Sequence, residues 1–256
     1  MSRAKDEIWV AGEALIDLVP LNGEIKAIVG GGPANTAKAL AKLGFSPAFI
    51  AGISSDEYGR AIREDLKDVD LSRSLSSELP TAVAEVTLDA SGSASYKFKL
   101  NGTATFDFNS AWLPKGQVGI LHIGTLATLV EPGASELFNW AKDLEAIVVF
   151  DPNVRSSVLN NSLKYREIFE RWAKISKIVK MSHEDLQFLG YRNGAEILEL
   201  GPELVVVTKG AEGIDGITGE GVVSVPGVKV EVVDTVGAGD TVGAIVVEGL
   251  VRYGFA

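Results

Sequence analysis

Short apolar runs recur along the chain at Ile8–Ala11, Ala48–Ala51, Val118–Ile123, Ala146–Phe150, Ile178–Met181 and Leu204–Thr208. Several lack the alternation of a one-sided strand, which predicts strands covered on both faces. Between them lie amphipathic stretches that predict helices over Pro33–Leu43, Asp56–Lys67, Ser135–Leu144, Lys164–Ile175 and His183–Leu189. Asp56 is placed to cap the second of these, and Gly44 to end the first. Strand–helix alternation of this kind predicts an α/β fold with a mainly parallel central sheet between helices.

One region departs from that rhythm. Thr81–Leu88 and Ser95–Leu100 alternate apolar and polar residues, and Asp89-Ala-Ser-Gly92 between them is a turn signal. An antiparallel hairpin added to the α/β core is expected, either as a lid or dimer contact or as a plain extension of the sheet. A further apolar run, Val230–Val233, reads as a strand, and Ala238–Tyr253 reads as a helix that ends three residues before the chain does. A single domain over 1–256 is expected, with no linker or repeat to divide it. A terminal helix that needs cover suggests a domain lacking its C-terminal end.

Of the 256 residues 46% are hydrophobic, enough to bury a sizeable core, and the formal net charge is -10. That balance disfavours nucleic acid or an anionic membrane surface as a partner. The chain has no cysteine and two histidines, His122 and His183. Disulfides, thiolate metal sites and cysteine nucleophiles are thereby excluded. The N-terminus lacks the apolar run of a signal peptide, and no segment has the length of a membrane span. A cytoplasmic protein is the expectation.

The chemistry concentrates in a few motifs. Asp234-Thr-Val-Gly237-Ala238-Gly239-Asp240-Thr241 opens the last helix. Small residues at 237–239 allow a tight turn with exposed amides, and a helix N-terminus favours negative charge. Asp240 beside such an anion hole is placed to accept a proton from a hydroxyl, an arrangement suited to phosphoryl transfer. The same residues equally suit a plain helix start with a capping aspartate. Gly30-Gly31-Gly32-Pro33-Ala34-Asn35 opens an earlier helix, where bare backbone and the two-sided amide of Asn35 suit sugar hydroxyls. It is neither a dinucleotide fingerprint nor a P-loop, and alone it is equally a glycine turn before a helix. Gly12-Glu-Ala-Leu-Ile-Asp17 and Asp151-Pro-Asn153-Val-Arg155 follow strands, where α/β sheets hold ligands. Val207-Thr208-Lys-Gly210-Ala-Glu-Gly213 is a strand running into a glycine turn, and reads alone as a β-turn.

Together these segments resemble the ribokinase-like carbohydrate kinases of the PfkB family. The resemblance covers nearly the whole chain and is most specific at Asp234–Asp240. Gly12–Asp17, Gly30–Asn35, Gly102-Thr-Ala104 and Asp151–Arg155 look most like the fructokinase branch. It implies a ribokinase-like fold with a small β lid near 13–30 and 80–106, and ATP-dependent phosphorylation of a sugar, fructose to fructose 6-phosphate. Asp240 would be the base, with the amides of Gly237, Ala238 and Gly239 as the anion hole. Asp17, Gly30, Gly31 and Asn35 would hold the sugar, with Arg155 beside it. Thr208, Gly210 and Gly213 would line the ATP site. Asp234 and the carbonyl of Val236 would help bind K+, and Asp185 would act on Mg2+ through water. The oligomeric state is left open, although an exposed lid edge strand would offer a surface for a homodimer.

Three departures bear on this. Ser182-His-Glu-Asp185 stands where many members have Asn-x-x-Glu, Val242 stands where an aromatic is common, and relatives continue beyond this C-terminus. Alternatives within the fold are a 2-keto-3-deoxygluconate kinase, using Arg155 for the carboxylate, and a ribokinase or nucleoside kinase. Outside it, a non-catalytic sugar-binding protein with a kinase fold is the competing class.

Overall fold

A computed structural model describes residues 7–21, 23–88, 94–231 and 235–254. In chain order the elements are β1 (Ile8–Ala11), β2 (Leu15–Leu21), β3 (Glu24–Gly30), α1 (Gly32–Lys42), β4 (Ala48–Ile50), β5 (Gly52–Ser54) and α2 (Glu57–Asp65). Then come β6 (Leu75–Ser77), β7 (Val83–Leu88), β8 (Ala94–Lys99), β9 (Ile120–Gly124), α3 (Gly133–Lys142), β10 (Ile147–Asp151) and α4 (Ser162–Ala173). The last third holds β11 (Ile178–Ser182), α5 (His183–Phe188), α6 (Ala195–Leu198), β12 (Leu204–Thr208), β13 (Ile214–Thr218), β14 (Gly221–Val225) and α7 (Ala238–Tyr253).

Eight strands form the main sheet in the order β14-β13-β12-β11-β10-β9-β1-β4. From β12 to β4 the neighbours run parallel, and β13 and β14 are added antiparallel at one edge. The unbroken apolar character of the central strands has a direct cause, since β1 and β9 are buried along their whole length. One face carries a core of Trp9, Phe150, Phe169 and Trp172, and the other a core of Val10, Leu40, Phe49 and Val247. Odd and even residues of one strand therefore feed different cores.

Local signals set several boundaries. Asp56 caps α2 by accepting from Gly59 N at 2.7 Å, and its second oxygen accepts from Thr81 N at 2.8 Å. One carboxylate thus both starts a helix and anchors the segment leading into β7. Gly44, with φ of 88°, lets the chain leave α1 in a left-handed conformation. Ser182 and Asp185 form a reciprocal capping box at α5.

A second sheet has the order β3-β2-β7-β8, antiparallel except for the parallel β2–β7 pair. The turn expected at Asp89–Gly92 lies outside the described residues. The strand expected over Val230–Val233 needs correction. Residues 230 and 231 belong to no strand, Val230 is 71% exposed, and 232–233 lie outside the described residues. β14, paired with β13, is the terminal strand of the sheet, and residues 230–231 do not add to it. Among the described residues no helix is long and apolar enough to cross a membrane.

Candidate functional site

The site forms where the first turns of α1 and α7 meet at the C-terminal ends of β1, β9 and β10. α7 begins at Gly237, whose φ of 75° is left-handed and open to glycine at little cost. Asp240 follows in the first helical turn and is buried. Asn35 Nδ2 donates to Asp240 Oδ2 at 2.9 Å, and Thr36 Oγ1 donates to the Asp240 carbonyl at 3.2 Å. The expected role of Asn35 is thus refined, because one side of its amide is already committed to Asp240. Burial raises the Asp240 carboxyl above its usual range, opposed by the Asn35 hydrogen bond, reinforced by Asp151, and opposed by Lys180 and Arg155.

Gly32 marks the centre of this convergence. A Cβ there would lie 2.7 Å from Thr125 Oγ1, 3.1 Å from Asn153 Nδ2 and 3.2 Å from Asp240 Oδ1. Three polar groups from three different elements therefore face one bare stretch of backbone. Thr125 and Asn153, at the ends of β9 and β10, hold left-handed φ values of 58° and 37°. Such conformations cost free energy in non-glycine residues and persist where the surroundings impose them.

The other glycines are crowded for identifiable reasons. A Cβ on Gly30 would overlap the Asp17 carboxylate, and one on Gly31, whose φ is 115°, would overlap the Glu13 carbonyl. Asp17 stands on β2, its carboxyl raised by burial and pulled back by the charge of Arg155. Arg155 Nη1 donates to Asn153 Oδ1 at 2.6 Å, which fixes the loop after β10. Its charge acts on Asp17, Glu13 and Asp240 together.

Glu13 is fully buried and its carboxyl is pushed up to about 8, because burial outweighs the amides of Ala127 and Leu126 and the charge of Arg155. Its Oε2 accepts from Ala127 N at 3.0 Å, tying the end of β1 to the turn that carries Thr125.

The expected nucleotide residues lie farther along the sheet. Thr208 ends β12 and donates to the Met181 carbonyl at 3.4 Å. Gly210 and Gly213 have φ of 55° and 106° and flank a one-turn 3-10 helix closed by Lys209 N donating to the Gly213 carbonyl at 2.8 Å. A Cβ on Gly210 would meet nothing within 4 Å, so its face is open.

Of the residues expected at the two cation sites, Asp234 lies outside the described residues and Val236 is exposed. Asp185 is buried, with Oδ1 accepting from Val154 N at 2.8 Å and Oδ2 from Ser182 N at 2.9 Å. Burial raises its carboxyl, opposed by the Ser182 amide and reinforced by Asp151. Among the described residues no group of three or more acidic or histidine side chains is set to hold a metal.

Sequence reasoning passed over Glu13, Thr125, Asn153 as a site residue, and Lys180. Glu13 and Asn153 lay inside motifs already singled out, whereas Thr125 and Lys180 carried no local signal. Lys180, on β11, forms a buried ion pair of 2.9 Å with Asp151 on β10.

The chain is similar to known proteins over nearly its whole length. The chain is 38% identical to a fructokinase of Rhizobium leguminosarum bv. trifolii, over 95% of this chain and 79% of that one. A crystal structure of Vibrio cholerae fructokinase with fructose, ADP and calcium aligns with a TM-score of 0.85 at 30% identity, covering 98% of this chain and 86% of the other. Xylella fastidiosa fructokinase with bound ATP aligns with a TM-score of 0.87 at 27% identity, covering 97% and 83%. Residues 5–254 match the family described as pfkB family carbohydrate kinase, and with the buried Asp240 turn and the ribokinase-like sheet in place, the chain belongs to that family.

Proposed function

We propose that this protein is an ATP-dependent fructokinase that converts fructose to fructose 6-phosphate, with Asp240 as the base. The observation that carries the reading is the placement of Asp240. Its carboxylate is buried in the first turn of α7, held by Asn35, and faces the bare backbone of Gly32. An acceptor hydroxyl entering there meets a carboxylate at hydrogen-bond range and, in the same turn, amides of a helix N-terminus, of which Ala238 N donates to the Thr235 carbonyl at 3.2 Å. As the hydroxyl oxygen attacks the γ-phosphorus, its proton passes to Asp240 and the bond to the ADP oxygen breaks. The amides of Gly237 and Gly239, joined by that of Ala238 once it exchanges the Thr235 carbonyl for phosphate oxygen, then face the charge on the transferring group. Fructose and ADP in the aligned Vibrio cholerae structure support the substrate pair.

Asp17, Gly30, Gly31, Asn35 and Arg155 form the sugar side. The crowding of both glycines leaves room there for side chains and ligand but not for a methyl group. Thr208, Gly210 and Gly213 form the nucleotide side. Mg2+, when bound, neutralises phosphate charge. Asp185 fits an approach through water better than direct ligation, because both of its oxygens already accept backbone amides. K+ would take the carbonyl of Val236, with Asp234. The second sheet is read as a lid over the sugar, whose closure excludes water from the phosphoryl group. Its edge strand β3 leaves Ile25 and Ile28 exposed by 73% and 48%, which suits pairing of two lids in a homodimer, measurable by sedimentation.

Asp240→Asn tests the base. Turnover is expected to fall by roughly 1000-fold or more, while fructose binding measured by calorimetry changes little. Turnover retained in this variant contradicts the assignment.

A further inference from the structure

The two glycines of the 237–240 turn have different reasons to be glycine. Gly237 has a φ of 75°, which explains it. Gly239 is absent from the residues of positive φ, so its backbone is open to any residue. What a side chain there would meet is Lys180, whose Nζ lies 3.1 Å from the position of a Gly239 Cβ. The ammonium thus sits directly against the first turn of α7, on the sheet side, behind the amides read above as the anion hole.

This is an unusual place for a lysine. Its side chain is 5% exposed and its one carboxylate partner, Asp151, is 4% exposed. A buried ion pair is seldom a net gain in stability over apolar residues of similar volume. Nor is this pair saturated, since Asp151 Oδ1 is buried without a hydrogen-bond partner. Beside it on β9, His122 is buried, has no hydrogen-bond partner, and is held neutral by burial and by the Lys180 charge, its pKa pushed down to about 3. Besides Asp151, the groups on which this charge acts include His122 and Asp240, the latter in the first turn of α7.

We propose that Lys180 is a positioning residue for phosphoryl transfer: held by Asp151, its ammonium braces the first turn of α7 and places fixed positive charge behind the amides that receive the phosphoryl group. The inference rests on reading that turn as the phosphoryl site. It accounts for Gly239, which keeps the ammonium close to the helix backbone. It also accounts for the retention of a pair that stability alone does not require. Charge fixed in a dry site acts on developing negative charge without reorganising at the moment of reaction. The same ammonium favours the ionised form of Asp240, opposing Asp151.

The test compares Lys180→Met, Lys180→Met/Asp151→Asn and Gly239→Ala with the wild type, reading thermal stability, fructose affinity, fructose KM and kcat. Lys180→Met leaves Asp151 buried and alone, so it is expected to be destabilised. The double substitution removes both charges at similar volume and restores the melting temperature. In that folded double variant kcat is expected to fall roughly 100-fold, with fructose affinity and KM within about threefold. A role confined to structure would leave kcat restored along with stability, and a double variant with wild-type stability and wild-type kcat overturns the proposal. Gly239→Ala, which keeps both charges, supplies the check should the double variant not fold. A loss in kcat at unchanged fructose KM supports the bracing contact, and unchanged kcat contradicts it. Wild-type protein that releases no ADP with any sugar would instead sink the kinase reading itself, so the two failures are distinguishable.

Discussion

On the side of the site that holds Asp17 and Asn35, the backbone is packed to its limit. A Cβ on Gly12 would overlap the Pro33 ring, one on Gly30 the Asp17 carboxylate and one on Gly31 the Glu13 carbonyl. On the side that holds Thr208 and Gly210 the surroundings are open. Gly210 has nothing within 4 Å of a Cβ, and Val228 and Val236 are 84% and 83% exposed. Gly213 and Gly227 are exceptions there, crowded by the Val225 and Ala211 carbonyls where the chain leaves β14 and packs back on the turn after β12. The difference teaches that the side proposed for the sugar is shaped in advance by packing, which under that proposal builds selectivity into the fold. The side proposed for the nucleotide has less packing to shape it, since Gly210 meets no atom within 4 Å of a Cβ.

Substitution of the two kinds of glycine breaks the comparison most sharply. Gly31→Ala adds a methyl group against backbone at a φ of 115° and is expected to cost about 2–4 kcal/mol in denaturation experiments, with loss of fructose binding. Stability and fructose affinity equal to wild type would show that the sugar side is not preformed.

The next largest effect concerns Glu13, the buried carboxyl behind the sugar side. Its pKa is raised, so the native state keeps a proton that the unfolded chain releases above its ordinary value of 4.5. Stability is therefore expected to fall as pH rises from 4.5, and to level off once pH passes about 8, where the native group also ionises. The slope from this one group is at most about 1.4 kcal/mol per pH unit. Glu13→Gln should remove that component, measured by denaturation across the same range, and an unchanged slope would contradict the placement of the proton.

Asp240 gives a smaller shift that sharpens the account. Because burial raises its carboxyl, the acid limb of kcat/KM should lie above the ordinary aspartate range, activity being lost as pH falls through it. Asn35→Ala removes a donor to the carboxylate and should move that limb to higher pH. A limb that stays in place would mean that Asn35 serves only the sugar. The smallest effect is expected from Gly210→Ala, which meets no atoms and suffers only its positive φ of 55°. About 1 kcal/mol of stability should be lost, with fructose affinity unchanged.

How much of this was legible in the sequence depends on the range over which each feature is determined. The central strands announce themselves because burial on both faces requires continuous apolar runs, as at Leu204–Thr208. The cap at Asp56 and the helix start at Gly237 are equally local. Thr125 and Asn153 are different, since their left-handed backbones answer to the approach of Gly32 from another part of the chain, and no neighbouring residue foretells it. Lys180 interrupts an apolar strand, and its partner is 29 residues away on the adjacent strand, so the pair exists only once the sheet order is known. Val230 misled because an apolar run becomes a strand only where another element covers or pairs with it, and Val230 is left exposed. Asp185 was read as acting on a metal through water; the capping box with Ser182 is local, but its bond to Val154 N joins residues 31 apart and is not foretold by its neighbours.

The central claim is that the Asp240 turn and the packed sugar side together make a fructose kinase. It is tested most directly by measuring ADP release from MgATP, with potassium present, across fructose, ribose, 2-keto-3-deoxygluconate, adenosine and no sugar. The account predicts release that depends on fructose and exceeds the signal from every other acceptor. Release that ignores fructose, or that is equal with and without any sugar, would contradict it.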